Sequence, residues 1–217
     1  MIKAVVFDLD GTLLNTVDSI KYYLNRALAK EGLDSVDTET VKILAGKGAK
    51  DLINKGFKNG GINLSEEELV RKTAVYVADY DSDPCYLTEI YDGIPELLYS
   101  LKEKGIKLAV LSNKPNSSIN FIVPKFFGEI LFDRVQGATE TLPRKPDPAV
   151  LLKILNELKL SPEECLFVGD SGVDMETGKN AEAYSCGVLW GFRSEEELRT
   201  SGADYIVSHP LEILNII

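Results

Sequence analysis

An α/β fold, with an all-helical lobe inserted after the first strand of a parallel sheet, is predicted by three features of this 217-residue chain. Short β-branched runs alternate with helical patterns from about residue 93 to the end, the arrangement that writes a parallel sheet with helices on both faces. One further strand-like run, residues 4–9, stands apart at the N-terminus. Between it and the rest, residues 15–83 carry helical periodicity and no good strand.

Residues 4–9 are apolar and β-branched and end in an Asp-rich turn, so they read as a buried strand. Val17, Ile20, Leu24, Ala27 and Leu28 then recur at helical spacing up to a stop at Gly32. Helical patterning continues over 38–80, where Ser65 and Glu68 form a capping box ahead of Leu69 and Val70 and Gly60-Gly61 marks a turn. Pro95 opens a helix carrying Leu97, Leu98 and Leu101, which ends at Gly105. Strands are expected at 107–111, 131–135, 165–168, 186–190 and 204–207. Helices are expected at 116–127, 148–158 and 173–183, with a capping box at Ser194 and Glu197 and a terminal helix. The economical division is a core of residues 1–14 with 84–217 and a helical lobe of 15–83.

Composition narrows the function. Hydrophobic residues at 44% and charged residues at 27% are ordinary globular usage, and a chain this long buries a full core without staples. With 24 Lys and Arg against 34 Asp and Glu the net charge is −10, a surface that repels nucleic acid and anionic lipid. An anionic substrate therefore needs a local positive site. Cys85, Cys165 and Cys186 make neither a zinc pattern nor an even disulfide framework, and they suit free thiols in a reducing cytoplasm. The single histidine, His209, leaves no basis for a histidine-built zinc site. No apolar run approaches the ~18 residues of a membrane span, and the N-terminus turns acidic too early for a secretion signal.

Open parallel sheets bind ligands at the carboxyl ends of their strands. Asp8, Asp10, Gly11 and Thr12 follow the first strand, and Ser112, Asn113 and Lys114 follow the 107–111 strand. Gly169, Asp170, Ser171 and Asp174 follow the 165–168 strand, and Lys145-Pro146 lies in the long connection after Val135. Each has a bland alternative. Asp8 and Asp10 are good turn formers, as are Ser112 and Asn113. Lys145 can face water, and Asp174 suits a first helical turn. Their convergence on one rim favours function. Carboxylates without histidine suit a hard cation taking oxygen ligands, above all Mg²⁺. With a lysine and a Ser/Asn pair, such a site is equipped for a phosphoryl group, and a carboxylate there can serve as nucleophile. The residues alone leave open which of Asp8 and Asp10 does so.

Asp8-Leu9-Asp10-Gly11-Thr12, Ser112-Asn113-Lys114, Lys145-Pro146-Asp147 and Gly169-Asp170-Ser171-Gly172-Val173-Asp174 resemble, in order and spacing, the four motifs of the haloacid dehalogenase-like (HAD) superfamily. The segments Gly187–Arg193 and Gly202–Val207 resemble its phosphoglycolate phosphatase branch. The resemblance implies a Rossmann-like core with an inserted helical cap, and Mg²⁺-dependent hydrolysis of a small phosphorylated metabolite, with 2-phosphoglycolate leading. It implies Asp8 as nucleophile and Asp10 as general acid and base. It implies metal binding by Asp8, Asp170 and the Asp10 carbonyl, phosphoryl binding by Ser112, Asn113 and Lys145, and support from Asp174. A phosphomutase, a pyrophosphatase or nucleotidase of the same fold, and a non-catalytic binding protein are the alternatives, and a monomer or dimer is expected. Two departures are visible. Asn15 stands where relatives usually carry Asp, and 180–184 lacks an expected glycine. Within the cap, residues 44–50 form a glycine-flanked turn that is either solvated or closes over the site. In the second case Lys47, or less readily Lys50, meets a second anionic group on the substrate.

Overall fold

The computed structural model describes residues 1–128 and 131–217. The strands are β1 (Ala4–Phe7), β2 (Leu14–Asn15), β3 (Glu89–Ile90), β4 (Lys107–Pro115), β5 (Arg134–Ala138), β6 (Cys165–Gly169), β7 (Tyr184–Val188) and β8 (Tyr205–Val207). Six of them form one wholly parallel sheet in the order β5-β4-β1-β6-β7-β8. β1 lies inside it, with Ala4 opposite Lys107 on one side and Cys165 on the other. A strand with neighbours on both edges and helices on both faces must be apolar throughout, and Ala-Val-Val-Phe is.

The helices are α1 (Val17–Ala29), α2 (Thr38–Leu44), α3 (Ala49–Asn59), α4 (Glu66–Asp81), α5 (Ile94–Glu103), α6 (Asn116–Phe127), α7 (Ala149–Leu158), α8 (Gly172–Asn180) and α9 (Glu195–Thr200). Val5 and Phe7 share a core with Leu97, Leu101, Ile119 and Ile122 of α5 and α6, whereas Ala4 and Val6 face Leu151 and Ile154 of α7. The first of these cores runs on without a break into Leu24, Ile53 and Phe57 of the helical segment. β2 and β3 pair antiparallel, Leu14 with Ile90 and Asn15 with Glu89, tying the two chain crossings beside that segment. The Ser65–Glu68 capping box forms as expected at the start of α4.

Several boundaries differ from expectation, each for a local reason. The strand expected at 131–135 forms at Arg134–Ala138. At Asp133 the backbone N–H still donates to the Leu108 carbonyl, but the Asp133 carboxylate takes the place of a strand carbonyl, accepting from the Leu108 N–H and the Lys102 ammonium, both at 2.9 Å. The strand expected at 186–190 forms at Tyr184–Val188, and Trp190 folds back to donate from Nε1 to the Thr12 carbonyl at 2.9 Å. β4 runs on through Ser112, Asn113 and Lys114 to Pro115, with irregular register after Leu111. α8 stops at Asn180, not 183, and Glu182 takes φ 59° in the segment that lacks a glycine. Asn15 belongs to β2, and the N-cap of α1 is Thr16. At Ser194 only half of the capping box forms. Its side chain accepts from the Glu197 N–H, while Glu197 Oε1 accepts instead from Gly172 N at 3.1 Å. The terminal segment is a 3-10 turn, Pro210–Asn215, which His209 caps by accepting from the Leu211 N–H at 3.2 Å.

Candidate active site

Asp8 is the first residue past β1, and its N–H continues the ladder to the Val168 carbonyl at 2.9 Å. The chain then turns sharply, with the Leu9 carbonyl accepting from the N–H groups of Thr12, Leu13 and Leu14. Gly11 makes the turn possible. Its φ is 80°, and a Cβ there would lie 2.3 Å from Asp170 Oδ2. Gly191 packs against the other side of Asp170, where a Cβ would lie 2.2 Å from the Asp170 Cβ. The next residue, Phe192, donates its N–H to Asp170 Oδ2 at 2.7 Å. Asp170 is thus pinned between two loops that sequence separates widely.

Asp8, Asp170 and Asp174 bring carboxylate oxygens within 4.8 Å of one another, and all three are buried. Lys145 enters the same cluster with its side chain only 2% exposed. Its ammonium donates to Asp174 Oδ1 at 2.6 Å and lies 2.9 Å from Asp8 Oδ1. The second Asp174 oxygen accepts from the N–H and hydroxyl of Ser171 at 3.0 and 2.7 Å. Both Asp174 oxygens are thus engaged, one of them by the Lys145 ammonium. Asn113 clamps the Lys145 backbone: its Oδ1 accepts from Lys145 N at 3.0 Å and its Nδ2 donates to the Lys145 carbonyl at 3.1 Å. Nδ2 also reaches the Gly46 carbonyl at 3.2 Å, so the amide is spent on backbone. The Ser112 hydroxyl accepts weakly from Lys114 N and lines the cavity above the cluster.

The electrostatics of the cluster suit it to a cation. Burial pushes the Asp8 carboxyl up to about 6, against the pull of Lys145 and with help from Asp174 and Asp10. Burial, then Asp174 and Asp8, raise Asp170 well above the usual carboxylate range. Burial works against the Lys145 ammonium, but Asp174 and Asp8 overcome it and hold it protonated. Three buried carboxylates thus face one ammonium. Asp8 Oδ1, fully buried, has no directed hydrogen bond beyond its ionic contact with Lys145. An all-oxygen donor set with excess negative charge fits a hard divalent cation.

Asp10 sits beside the cluster. Both its oxygens face the Lys114 ammonium, at 3.0 and 3.2 Å. Asp8, Asp10, Ser112, Asn113 and Asp170 line a cavity of about 60 Å³ whose opposite wall is formed by the helical segment, where Ala45, Gly46 and Gly48 contribute. Lys47 and Lys50 do not line it: Lys47 is exposed, and Lys50 pairs with Glu66. The lysines point outward because the small residues of the turn, not its charges, fit against the core. A Cβ on Gly48 would lie 2.9 Å from the Asn113 carbonyl. The cations that do line the cavity are Lys114 and Arg193. Both stand inside motifs quoted above, but no spacing argument separates them from ordinary surface charges.

A central strand ending in one of a trio of buried carboxylates, with a buried lysine among them and a helical lid above, defines a hydrolase class. The chain belongs to the haloacid dehalogenase-like hydrolase family, whose pattern it matches over residues 5–188. Among particular proteins, it is 32% identical to the N-acetylmuramic acid 6-phosphate phosphatase of Pseudomonas aeruginosa, over 100% of this chain and 95% of that one. It is also 32% identical to the phosphoglycolate phosphatase of Haemophilus influenzae, over 99% of this chain and 98% of that one. A crystal structure of a predicted phosphoglycolate phosphatase from Haemophilus somnus superposes with a TM-score of 0.89 at 29% identity, covering 99% of this chain and 97% of that one.

Proposed function

We propose that the chain is a Mg²⁺-dependent phosphomonoesterase that works through an aspartyl-phosphate, with 2-phosphoglycolate as its substrate. That it is a HAD-family phosphatase follows from its family and its relatives. The observation that carries the mechanism is the buried Asp8–Asp170–Asp174 cluster with Lys145 in it, whose Asp8 and Asp170 line the cavity between sheet and helical segment. Side chains of Asp8 and Asp170 and the Asp10 carbonyl would hold Mg²⁺, which when bound offsets the negative charge of the phosphoryl oxygens. Ser112 hydrogen-bonds the phosphoryl group and the Lys145 ammonium balances its charge, while Asn113 positions the Lys145 loop.

An Asp8 oxygen attacks phosphorus. The bond from phosphorus to the ester oxygen breaks as Asp10 delivers a proton to that oxygen. Water then attacks the aspartyl-phosphate, Asp10 takes its proton, and the Asp8–phosphorus bond breaks to release inorganic phosphate. Residues 15–83 act as the cap that excludes bulk water from the intermediate.

Phosphate release from a panel of phosphorylated metabolites with Mg²⁺ present should single out 2-phosphoglycolate. Asp8→Asn should abolish that release with folding intact, and Asp10→Asn should slow it by ~10²–10⁴-fold. Substantial Mg²⁺-dependent turnover by Asp8→Asn would remove Asp8 as nucleophile.

A further inference from the structure

We propose that Lys114 sets substrate preference by binding a carboxylate on the carbon that carries the phosphate ester, an inference that rests on Asp10 being the group that protonates the leaving oxygen. Lys114 stands at the end of β4 with its side chain 5% exposed, and its ammonium touches both oxygens of Asp10. The ammonium also lies 4.4 Å from the centre of the Tyr80 ring, whose hydroxyl is held by Ser19 at 3.3 Å. A cation pinned between a carboxylate and an aromatic face is positioned rather than free to wander.

Arg193, the other cation on the cavity wall among the described residues, is committed elsewhere. Its guanidinium donates to the carbonyls of Lys42, Ile43 and Ala45 at the end of α2 and contacts Glu197 at 3.3 Å. The cap-side wall is otherwise apolar or phenolic, with Ile20, Leu52, Val77, Tyr76 and Tyr80. Lys114 is therefore the ammonium that meets the part of the substrate beyond the phosphoryl group.

The position of Asp10 decides which part that is. To protonate the ester oxygen, Asp10 must stand within hydrogen-bonding distance of it. Groups on the adjoining carbon then lie beside Asp10, where Lys114 already is. A carboxylate there offers the buried ammonium a charge-assisted partner, and a neutral hydroxymethyl group or a sugar ring does not. This assigns to Lys114 the contact that the exposed Lys47 and the Glu66-paired Lys50 are not placed to make.

Kinetics with 2-phosphoglycolate, 2-hydroxyethyl phosphate and p-nitrophenyl phosphate, each with Mg²⁺, test the assignment. Wild-type kcat/KM should favour 2-phosphoglycolate over 2-hydroxyethyl phosphate by roughly 10–150-fold, the worth of one charge-assisted contact. Lys114→Gln should erase that preference mainly through KM, while the two carboxylate-free esters fall by a smaller, common factor. A wild-type ratio near one overturns the proposal without any variant, and so does an equal fall of all three esters in Lys114→Gln. If Lys114→Gln fails to fold, Lys114→Arg, which keeps the charge, must retain a preference for the carboxylate ester. Wild-type protein that hydrolyses none of the three would instead overturn the phosphatase reading itself.

Discussion

Asp8 holds its proton more tightly in the folded protein than in the unfolded chain, because burial outweighs the neighbouring Lys145. Its folded value of about 6 lies above the unfolded value of about 3.9. The sign follows: the stability this group contributes is fully present below about pH 4 and is lost as pH rises through about 6. Asp170 is raised as well and acts in the same direction. A bound cation removes the penalty by neutralising the carboxylates. Stabilisation by Mg²⁺ should therefore be larger at pH 7.5 than at pH 5, measured as the melting temperature with Mg²⁺ minus that with EDTA. An equal difference at both pH values would show that Asp8 and Asp170 do not hold the cation. That carboxylates gather at this rim was legible from the strand ends. Support of Lys145 by Asp174 was implied only by the family resemblance, and the Asn113 clamp on the Lys145 backbone was not legible at all, because those contacts join residues 29 and 32 positions apart.

At the scale of elements, apolar periodicity placed the helices and most strands, and side chains that leave the ladder moved the ends. The Asp133 carboxylate caps the Leu108 N–H of β4 and Trp190 bonds to the Thr12 carbonyl outside the sheet, contacts that no propensity of either segment reveals. The end of α8 carries a cost that the sequence did signal. Glu182 is exposed and takes φ 59°, a left-handed conformation that penalises a side chain by roughly 1–2 kcal/mol. Part of that is offset in a glycine variant by the larger entropy of its unfolded chain. Glu182→Gly should raise stability by up to about 1 kcal/mol in urea denaturation without changing turnover. A destabilised variant would mean that the Glu182 side chain makes a favourable contribution larger than its backbone strain.

At the scale of the molecule, the loop after β7 links the site to the helical segment. Gly191 and Phe192 hold Asp170, and the next residue, Arg193, holds the end of α2. Occupation of the site and closure of the cap are accordingly expected to stabilise one another. Mg²⁺ with beryllofluoride, a phosphoryl mimic, should raise the melting temperature by mass action, and the mimic without Mg²⁺ should do much less. The anion alone would face Asp8, Asp10 and Asp170 unscreened. Equal shifts with and without Mg²⁺ would contradict a shared site.

By itself the sequence determined the class of fold, the rim where the strands end, and the acidic, histidine-free chemistry of that rim. These follow from local patterns: period, turn residues and the residue types that close each strand. Only the tertiary structure decided which charges reach the cavity. Lys47 lies in the turn before α3 and Lys50 in the first turn of that helix, yet Ala45, Gly46, Gly48 and Ala49 line the cavity and neither lysine does. Lys114 comes to Asp10 across 104 residues, and Arg193 comes to the end of α2 across about 150. A charge is recruited to a site by the packing of the backbone that carries it, and that packing is a property of the whole chain.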